Sequence, residues 1–206
     1  MSPRTAAFAV FTCLSSSVLQ AQQYFRQPWD QYSNAHESRV ESCANPIPTD
    51  LIDLDDFRFQ QSGTLDGIIF WGKVLDSAQV ESAHGYYVAI YEDNGACGPG
   101  ALLHSECITP ASQFAFMDCT GESVYRFVSP LTGGFQVTGG ENYWLQVSEI
   151  DDESANVGVD DFLWSNRLPL RMCPAAQMDS SGNLFQPLFD ICSWQQVDFS
   201  FILRAS

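Results

Sequence analysis

Basic residues are scarce in this chain of 206 residues, which has 9 Lys and Arg against 25 Asp and Glu and a net charge of −16 at pH 7. A surface of that sign repels the phosphates of nucleic acids and the head groups of anionic lipids. The composition therefore argues against nucleic acid and membrane partners. Strong acidity is typical of an exported protein that stays soluble and monomeric, and it leaves cations as partners.

Signatures of catalysis are also missing from the sequence. No GxSxG elbow for a serine nucleophile occurs, and the three histidines, His36, His84 and His104, stand in no motif. Carboxylate pairs of the glycosidase kind would arise by chance among so many acidic residues, so their abundance carries no information. We expect the chain not to be an enzyme, and a hydrolase is the last of three hypotheses.

Apolar runs long enough to span a membrane, about 20 residues, do not occur, but the N-terminus carries a shorter one. Arg4 precedes an apolar stretch over residues 6–14, and a serine-rich segment ends in the small residue Ala21. This arrangement is typical of a secretory signal peptide over residues 1–21. We therefore expect the chain to be secreted, to the extracellular space or to a periplasm.

Six cysteines follow the predicted signal peptide, and no two of them have the CxxC spacing of a zinc site: Cys43, Cys97, Cys107, Cys119, Cys173 and Cys192. An even set of cysteines in an exported chain predicts disulfide bonds. The spacing does not decide the pairing. We expect local bridges, Cys97 with Cys107 and Cys173 with Cys192, which leaves Cys43 for Cys119.

Strand-length apolar runs fill most of the chain, and no window has the period of an amphipathic helix. Residues 22–48 are polar without a period and are predicted to be an N-terminal linker. Residues 49–206 contain short aromatic and branched runs separated by glycine, proline and asparagine turns. At 197–203, for example, Val197, Phe199, Phe201 and Leu203 occupy alternate positions. The pattern predicts an all-β, antiparallel β-sandwich of jelly-roll type, held by disulfides.

Several of these runs resemble a bacterial exported β-sandwich family that occurs in surface-anchored secreted proteins. The runs are LDDF at 54–57, GIIFWG at 67–72, IYEDNG at 90–95, GGENYWL at 139–145 and VDFSF at 197–201. The resemblance covers about residues 50–206 and implies the sandwich fold. The family is largely uncharacterised, so it implies no activity. Because the chain ends without a hydrophobic sorting segment, the resemblance implies release rather than anchoring.

Tryptophans are the residues by which a sugar-binding sandwich would be recognised, because exposed aromatic rings stack on the apolar faces of pyranoses. Trp71 and Trp144 lie in strand-like runs and are expected to be core residues. Trp164 lies in a polar region after Asp161. We therefore predict Trp164 and Asp161 as ligand-binding residues, against the ordinary alternative that Trp164 is packed in the core.

Acidic pairs raise the question of calcium, which prefers oxygen ligands. Jelly-roll carbohydrate-binding modules often hold a structural calcium with acids of their first and last strands, and Asp55, Asp56 and Asp198 resemble that arrangement. The favoured hypothesis is thus a secreted, non-enzymatic module that binds carbohydrate with a structural calcium. The alternative is an extracellular structural or protein-interaction domain without a small-molecule ligand, which predicts buried tryptophans and a flat surface.

Overall fold

Strands account for all the regular secondary structure in the part of the chain that the computed structural model describes. That part comprises residues 22–27, 35–44, 51–74, 85–150, 162–167, 173–179, 181–185, 188 and 196–206. Within it there is no helix with the length and apolarity needed to cross a membrane. The predicted signal peptide lies outside these residues.

Two sheets contain the strands. The first sheet has nine: β1 (Gln23–Gln27), β2 (Ala35–Glu37), β5 (Gly63–Val74), β8 (Ala111–Met117), β9 (Ser123–Pro130), β10 (Gln136–Val137), β12 (Phe162–Arg167), β15 (Asp198–Phe199) and β16 (Phe201–Ala205). The second sheet has seven: β3 (Arg39–Val40), β4 (Leu51–Phe57), β6 (Tyr86–Asp93), β7 (Pro99–Ile108), β11 (Tyr143–Ile150), β13 (Ala176–Asp179) and β14 (Leu184–Phe185).

The two sheets pack face to face around an apolar core, which confirms the predicted antiparallel β-sandwich. Nearly all described pairs are antiparallel, the exception being β3 beside β11. In the first sheet β5 is central, with β16 and β12 along one side and β9 along the other. Alternate residues of β5 enter the core, among them Ile68 and Phe70, and they meet Val88 and Leu145 of the second sheet. The chain passes repeatedly from one sheet to the other, as in a jelly roll.

The segment predicted to be a linker, residues 22–48, instead contributes strands to both sheets. β1 is paired along its length with β16, from Gln23 opposite Ala205 to Gln27 opposite Phe201. β2 pairs with β12, and β3 with β11. Phe25 is buried and stacks on Phe201 with ring centroids 5.4 Å apart. The linker prediction was wrong because β1 is short and has few packed apolar residues. Glutamines lie beside them, so the sequence shows no clear alternation of apolar and polar residues.

The disulfides join distant parts of the chain, so the predicted local pairing was also wrong. Cys43 is bonded to Cys107, with Cα atoms 6.0 Å apart, and Cys97 is bonded to Cys173, with Cα atoms 5.3 Å apart. Cys119 is disulfide-bonded as well. These two bridges exclude all three expected pairs, because each expected pair includes a cysteine that is bonded to a different partner.

Strand length explains why Cys97 and Cys107 do not pair. Cys97 lies in the turn before β7, whereas Cys107 lies opposite Tyr87 near the other end of the β6–β7 hairpin. Ten residues of extended chain separate them by about 30 Å. A disulfide requires Cα atoms within about 7 Å. The bridges instead join segments that are far apart in sequence: Cys43, three residues after β3, is bonded to Cys107 of β7, and Cys97 of the β6–β7 turn is bonded to Cys173, three residues before β13.

The turn between β8 and β9 is fastened to β5 by a buried ion pair. Lys73 is 2% exposed and forms a salt bridge with Asp118, while its Nζ also lies 2.7 Å from Glu122 Oε2. Asp118 Oδ1 accepts hydrogen bonds from Thr120 N at 2.9 Å, Thr120 Oγ1 at 2.7 Å and Glu122 N at 3.0 Å. Burial by itself raises the pKa of Asp118, but these hydrogen bonds and Lys73 outweigh it, so the pKa lies below its ordinary value.

Removal of the Cys97–Cys173 bridge by a double substitution to alanine is expected to reduce the free energy of unfolding by about 2–4 kcal/mol, because the unfolded chain loses a long covalent loop. The loop spans 76 residues. Denaturant unfolding of the oxidised protein measures the loss. The Cys43–Cys107 double variant, whose loop spans 64 residues, should lose a similar amount. An unchanged unfolding midpoint in either variant would contradict this account.

Asp118→Asn is expected to reduce the free energy of unfolding by about 3 kcal/mol at pH 7, because it leaves Lys73 buried without its main counter-charge. A carboxyl whose pKa is lowered by folding stabilises the protein above its ordinary pKa, 3.8 for Asp118, and loses that effect as the pH falls through the folded value. The penalty should therefore shrink in strong acid. Glu122→Gln, at a side chain that is 52% exposed, is the control and should cost less than about 1 kcal/mol. An equal penalty at both pH values would disprove the electrostatic role of Asp118.

Candidate functional site

Trp164, predicted to contact a ligand, lies in the core. It is 0% exposed and stacks on Phe199 with centroids 4.6 Å apart and an interplanar angle of 11°. Its Nε1 donates to Ser200 O at 3.2 Å. The ring is directed inward because Trp164 lies opposite Gly72, an inward position of β5. A buried ring cannot stack on a sugar, so this prediction was wrong. Asp161 lies outside the described residues.

Trp71 and Trp144, which were both predicted to be core residues, differ in the structure. Trp144 is 0% exposed, as expected of a core residue, and its Nε1 donates to Asp93 Oδ1 at 3.2 Å. Trp71 is partly exposed. It alternates with the buried Phe70, so its ring is directed to the outer side of the first sheet. The core prediction was therefore right for Trp144 and wrong for Trp71.

Trp71 belongs to a surface that we call the arginine–aromatic face, the outer side of the first sheet. It consists of Tyr24 and Arg26 on β1, Ile69 and Trp71 on β5, Arg126 and Val128 on β9, and Ile202 and Arg204 on β16. Tyr24 is 46% exposed, Arg26 is exposed, and the other six are partly exposed. Since directly opposed residues of antiparallel strands share a side, the register fixes which of these side chains are neighbours.

The register arranges the face in three rows across the strands. Arg26, Ile202, Ile69 and Val128 form the middle row, each opposite the next. On one side of that row Tyr24 lies opposite Arg204. On the other side Trp71 lies opposite Arg126, which in turn lies opposite Gln113 of β8. An aliphatic centre is therefore flanked by one aromatic ring and one arginine on each side.

Local interactions hold two of the arginines in place. The guanidinium carbon of Arg26 lies 4.8 Å from the ring centroid of Tyr24, which is a cation–π contact. Arg204 Nε donates to Asp66 Oδ1 at 2.5 Å, and its Nη2 donates to Asp66 O at 3.1 Å. The register shift between Arg204 and Ala205 leaves Asp66 as the extra residue of a β-bulge, which aims its side chain at Arg204.

Glycine makes room for Arg204 on this face. A Cβ on Gly67 would lie 3.1 Å from Arg204 Nη2 and 3.2 Å from its Cζ, so the guanidinium lies across the bare backbone of β5. The flat position keeps the arginine within the face. The bulge, the carboxylate and the glycine thus act together on one side chain.

Acidic residues are scarce in the strands that form the arginine–aromatic face and its neighbours. Strands β1, β8, β9, β10 and β16 contain no Asp or Glu, and the single acid of β5, Asp66, is bonded to Arg204. In the second sheet β4 alone has three aspartates. The arginine–aromatic face is therefore a locally basic, aromatic surface on a chain of net charge −16. Charges more than about 10 Å away are largely screened at physiological salt, so the local groups govern binding there.

The three predicted calcium ligands lie near one another but are not assembled into a ligand set. Asp55 is fully buried between the sheets; its Oδ2 accepts from Gln27 Nε2 at 3.1 Å and Phe199 N at 2.5 Å, and its Oδ1 accepts from Asp56 N at 2.8 Å. Burial, and then the charges of Asp198 and Asp56, raise the pKa of Asp55 well above its ordinary value. Among the residues that the structure describes, no three His, Cys, Asp or Glu side chains are placed to hold a metal ion.

Sequence reasoning missed the five polar and aromatic residues of the arginine–aromatic face. Alternation in β16, where Ile202 and Arg204 alternate with the core residues Phe201, Leu203 and Ala205, carried a signal for Arg204. Tyr24 and Arg26 alternate with Phe25 in the same way, but they fell within the predicted linker. Trp71 carried no such signal, since both sides of its strand are apolar.

Comparison with protein-family models and with curated proteins finds no match to this chain. The resemblance to an exported β-sandwich family therefore stays a prediction, and the function has to be argued from the surface itself.

Proposed function

We propose that the chain is an exported, non-enzymatic binding module that binds carbohydrate through the arginine–aromatic face. The observation that carries the proposal is the pairing of partly exposed aromatic rings with arginines on one acid-poor sheet surface. Apolar faces of pyranose rings pack against aromatic rings, and guanidinium groups donate hydrogen bonds in a fixed planar geometry. Trp71 and Tyr24 would supply the stacking, and Arg26, Arg126 and Arg204 the donors.

The spacing of the face favours an extended saccharide. Tyr24 lies two strands away from β5, level with Gly67, and Trp71 lies four residues further along β5. With strands about 4.8 Å apart and a rise of about 3.3 Å per residue, the two rings are separated by roughly 16 Å. That distance exceeds one sugar ring. A chain of linked sugars would reach both aromatic residues and cross the aliphatic row between them.

A protein partner is the second candidate. The burial of Trp164 favours it, because the alternative hypothesis predicted buried tryptophans and a flat surface, and Ile69, Val128 and Ile202 form such a surface at the centre of the face. Tyrosine, tryptophan and arginine are also the residues enriched at the centres of protein interfaces. The two candidates share the face and differ in the ligand that it recognises.

The predicted structural calcium is kept as a separate proposal to be tested, although Asp55, Asp56 and Asp198 do not form a ligand set among the described residues. Asp55 and Asp198 are buried near each other, and two such carboxyls need a proton or a cation to offset their repulsion. A cation bound to the folded state would raise the melting temperature. Thermal unfolding in calcium and in chelator measures this, with Asp55→Asn as the variant that should lose the difference. Equal melting temperatures in both buffers would exclude the structural calcium.

Substitution of Trp71 or Tyr24 by alanine is expected to weaken saccharide binding by up to roughly tenfold each, because each removes one stacking surface worth about 1.4 kcal/mol at most. The oxidised protein is first screened on a broad glycan array, and affinities for the best saccharide are then measured by calorimetry. Leu103→Ala is the matched control, because Leu103 is 44% exposed on β7 of the second sheet.

Three outcomes separate the candidates. Saccharide binding that both aromatic variants weaken and Leu103→Ala leaves intact supports the carbohydrate proposal. Saccharide binding that is insensitive to both variants places the site elsewhere and refutes the assignment to this face. No saccharide binding on the array refutes the carbohydrate proposal and leaves the protein-partner candidate.

A further inference from the structure

The turn between β6 and β7 contains the only Asn-Gly pair of the sequence, Asn94-Gly95. Both residues are exposed, and Gly95 has a φ of 75° with open space around the position of a Cβ. Asn94 N donates to Gly98 O at 3.0 Å, which closes the turn, and the disulfide of Cys97 with Cys173 fastens it. The fold therefore holds this pair in a defined conformation while it leaves the pair open to solvent.

The side-chain amide of Asn94 is held over its own backbone. Its Oδ1 accepts a hydrogen bond from Ala96 N at 2.8 Å, the pattern in which an asparagine side chain mimics a backbone turn. Its Nδ2 lies against Gly98, where an added Cβ would be 2.8 Å away. The ring that the hydrogen bond closes contains Gly95 N, so Asn94 Cγ is kept near that nitrogen. Among the described residues, nothing accepts a hydrogen bond from Gly95 N.

This geometry favours a reaction between Gly95 N and Asn94 Cγ. Two groups of one chain that are held in a suitable orientation react far faster than the same groups on separate molecules. The N–H of Ala96 is directed at Asn94 Oδ1, where negative charge develops when Cγ becomes tetrahedral, so it stabilises that charge. Gly95 has no side chain to hinder the closure.

We propose that Asn94 is a site of spontaneous deamidation in the folded protein. Gly95 N gives its proton to hydroxide and forms a bond with Asn94 Cγ. The Cγ–Nδ2 bond breaks, and Nδ2 takes a proton from water and leaves as ammonia. Water then opens the cyclic imide at either of its carbonyl groups, which gives aspartate or isoaspartate without any oxidant or reductant. This modification does not rest on the proposed carbohydrate binding.

Asn183 provides an internal comparison, because it is also exposed in a turn, that between β13 and β14. Leu184 follows it, so the residue that supplies the attacking nitrogen has a branched side chain that hinders ring closure. Its Nδ2 donates to Asp179 Oδ2 at 2.8 Å, and its backbone N donates to Asp179 Oδ1 at 2.9 Å. Asn183 should therefore keep its amide while Asn94 loses it.

Deamidation would change the turn that the disulfide of Cys97 fastens. Aspartate adds a negative charge beside Glu92 and Asp93, and it removes the Nδ2 group that lies against Gly98. Isoaspartate also adds one carbon atom to the main chain, which lengthens the path between Asn94 N and Gly98 O. Both products should therefore weaken the β6–β7 turn.

Incubation of the full oxidised chain in mildly alkaline buffer, followed by peptide mapping with mass spectrometry, tests the proposal. The fragment with Asn94 should gain the mass that separates a carboxyl from an amide, and an enzyme that methylates isoaspartate should label it. We expect Asn94 to lose its amide at least roughly tenfold faster than Asn183, which corresponds to a barrier lower by about 1.4 kcal/mol. The reaction should accelerate with pH, because the attacking nitrogen must lose its proton.

Asn94→Gln is the matched variant, because its longer side chain has to close a larger ring that forms more slowly. It should abolish the mass gain and the isoaspartate label, and after the same incubation it should keep the denaturation midpoint that the wild-type chain loses. Asn183→Gln is the control and should leave the reaction at position 94 unchanged.

Three results would overturn the proposal. The first is a fragment with Asn94 that keeps its mass throughout the incubation. The second is loss of the amide from Asn94 and Asn183 at equal rates. The third is a loss at Asn94 that occurs only after the chain has been reduced and unfolded, because the reaction is assigned to the folded protein. Saccharide affinity does not enter these measurements, so their outcome is separate from that of the proposed function.

Discussion

The buried carboxylate of Asp55 connects the two sheets near the first described strand and β15. Asp55 projects from β4 into the space between the sheets and accepts hydrogen bonds from Gln27 of β1 and from the backbone of Phe199 in β15. Both donors belong to the first sheet. Because buried polar groups are costly unless they are paired, this arrangement specifies where β1 and β15 lie relative to β4. The same constraint orients the surface: with Gln27 inward, Arg26 is directed outward.

Burial of Asp55 also has an electrostatic cost, because a second carboxyl, that of Asp198, is buried beside it. Asp55 and Asp198 lie close enough for each charge to disfavour the other, and neither is exposed. Elsewhere in the sandwich, polar groups between and around the strands are satisfied in pairs, such as Ser38 with Ser148 at 2.8 Å and Gln177 with Asp53 at 3.0 Å. The second sheet therefore combines apolar packing with a buried polar network. Such networks favour one arrangement of strands over others of similar hydrophobic content.

Sequence patterns predicted the architecture better than they predicted the surface. The alternation of Val197, Phe199, Phe201 and Leu203 correctly indicated an inward apolar side, and the repeated turns correctly indicated a sandwich. The run was not one half-buried strand, because it is divided into β15 and β16 and both Asp198 and Ser200 are buried. Disulfide pairing was missed because closeness in sequence is not closeness in space when a ten-residue strand intervenes. Trp71 and Trp164 were assigned to the wrong sides for a related reason. The side of Trp164 depends on its register opposite Gly72, and the side of Trp71 depends on which side of β5 meets the second sheet; no local pattern reveals either one.

In the described strands the arginines and the carboxylates also lie on different parts of the molecule. Arg26, Arg126 and Arg204 lie on the outer side of the first sheet, whereas the three aspartates of β4 are buried in the second sheet. An anionic ligand that comes near the arginine–aromatic face would therefore meet guanidinium groups before carboxylates, and its negative charge would favour approach from that side.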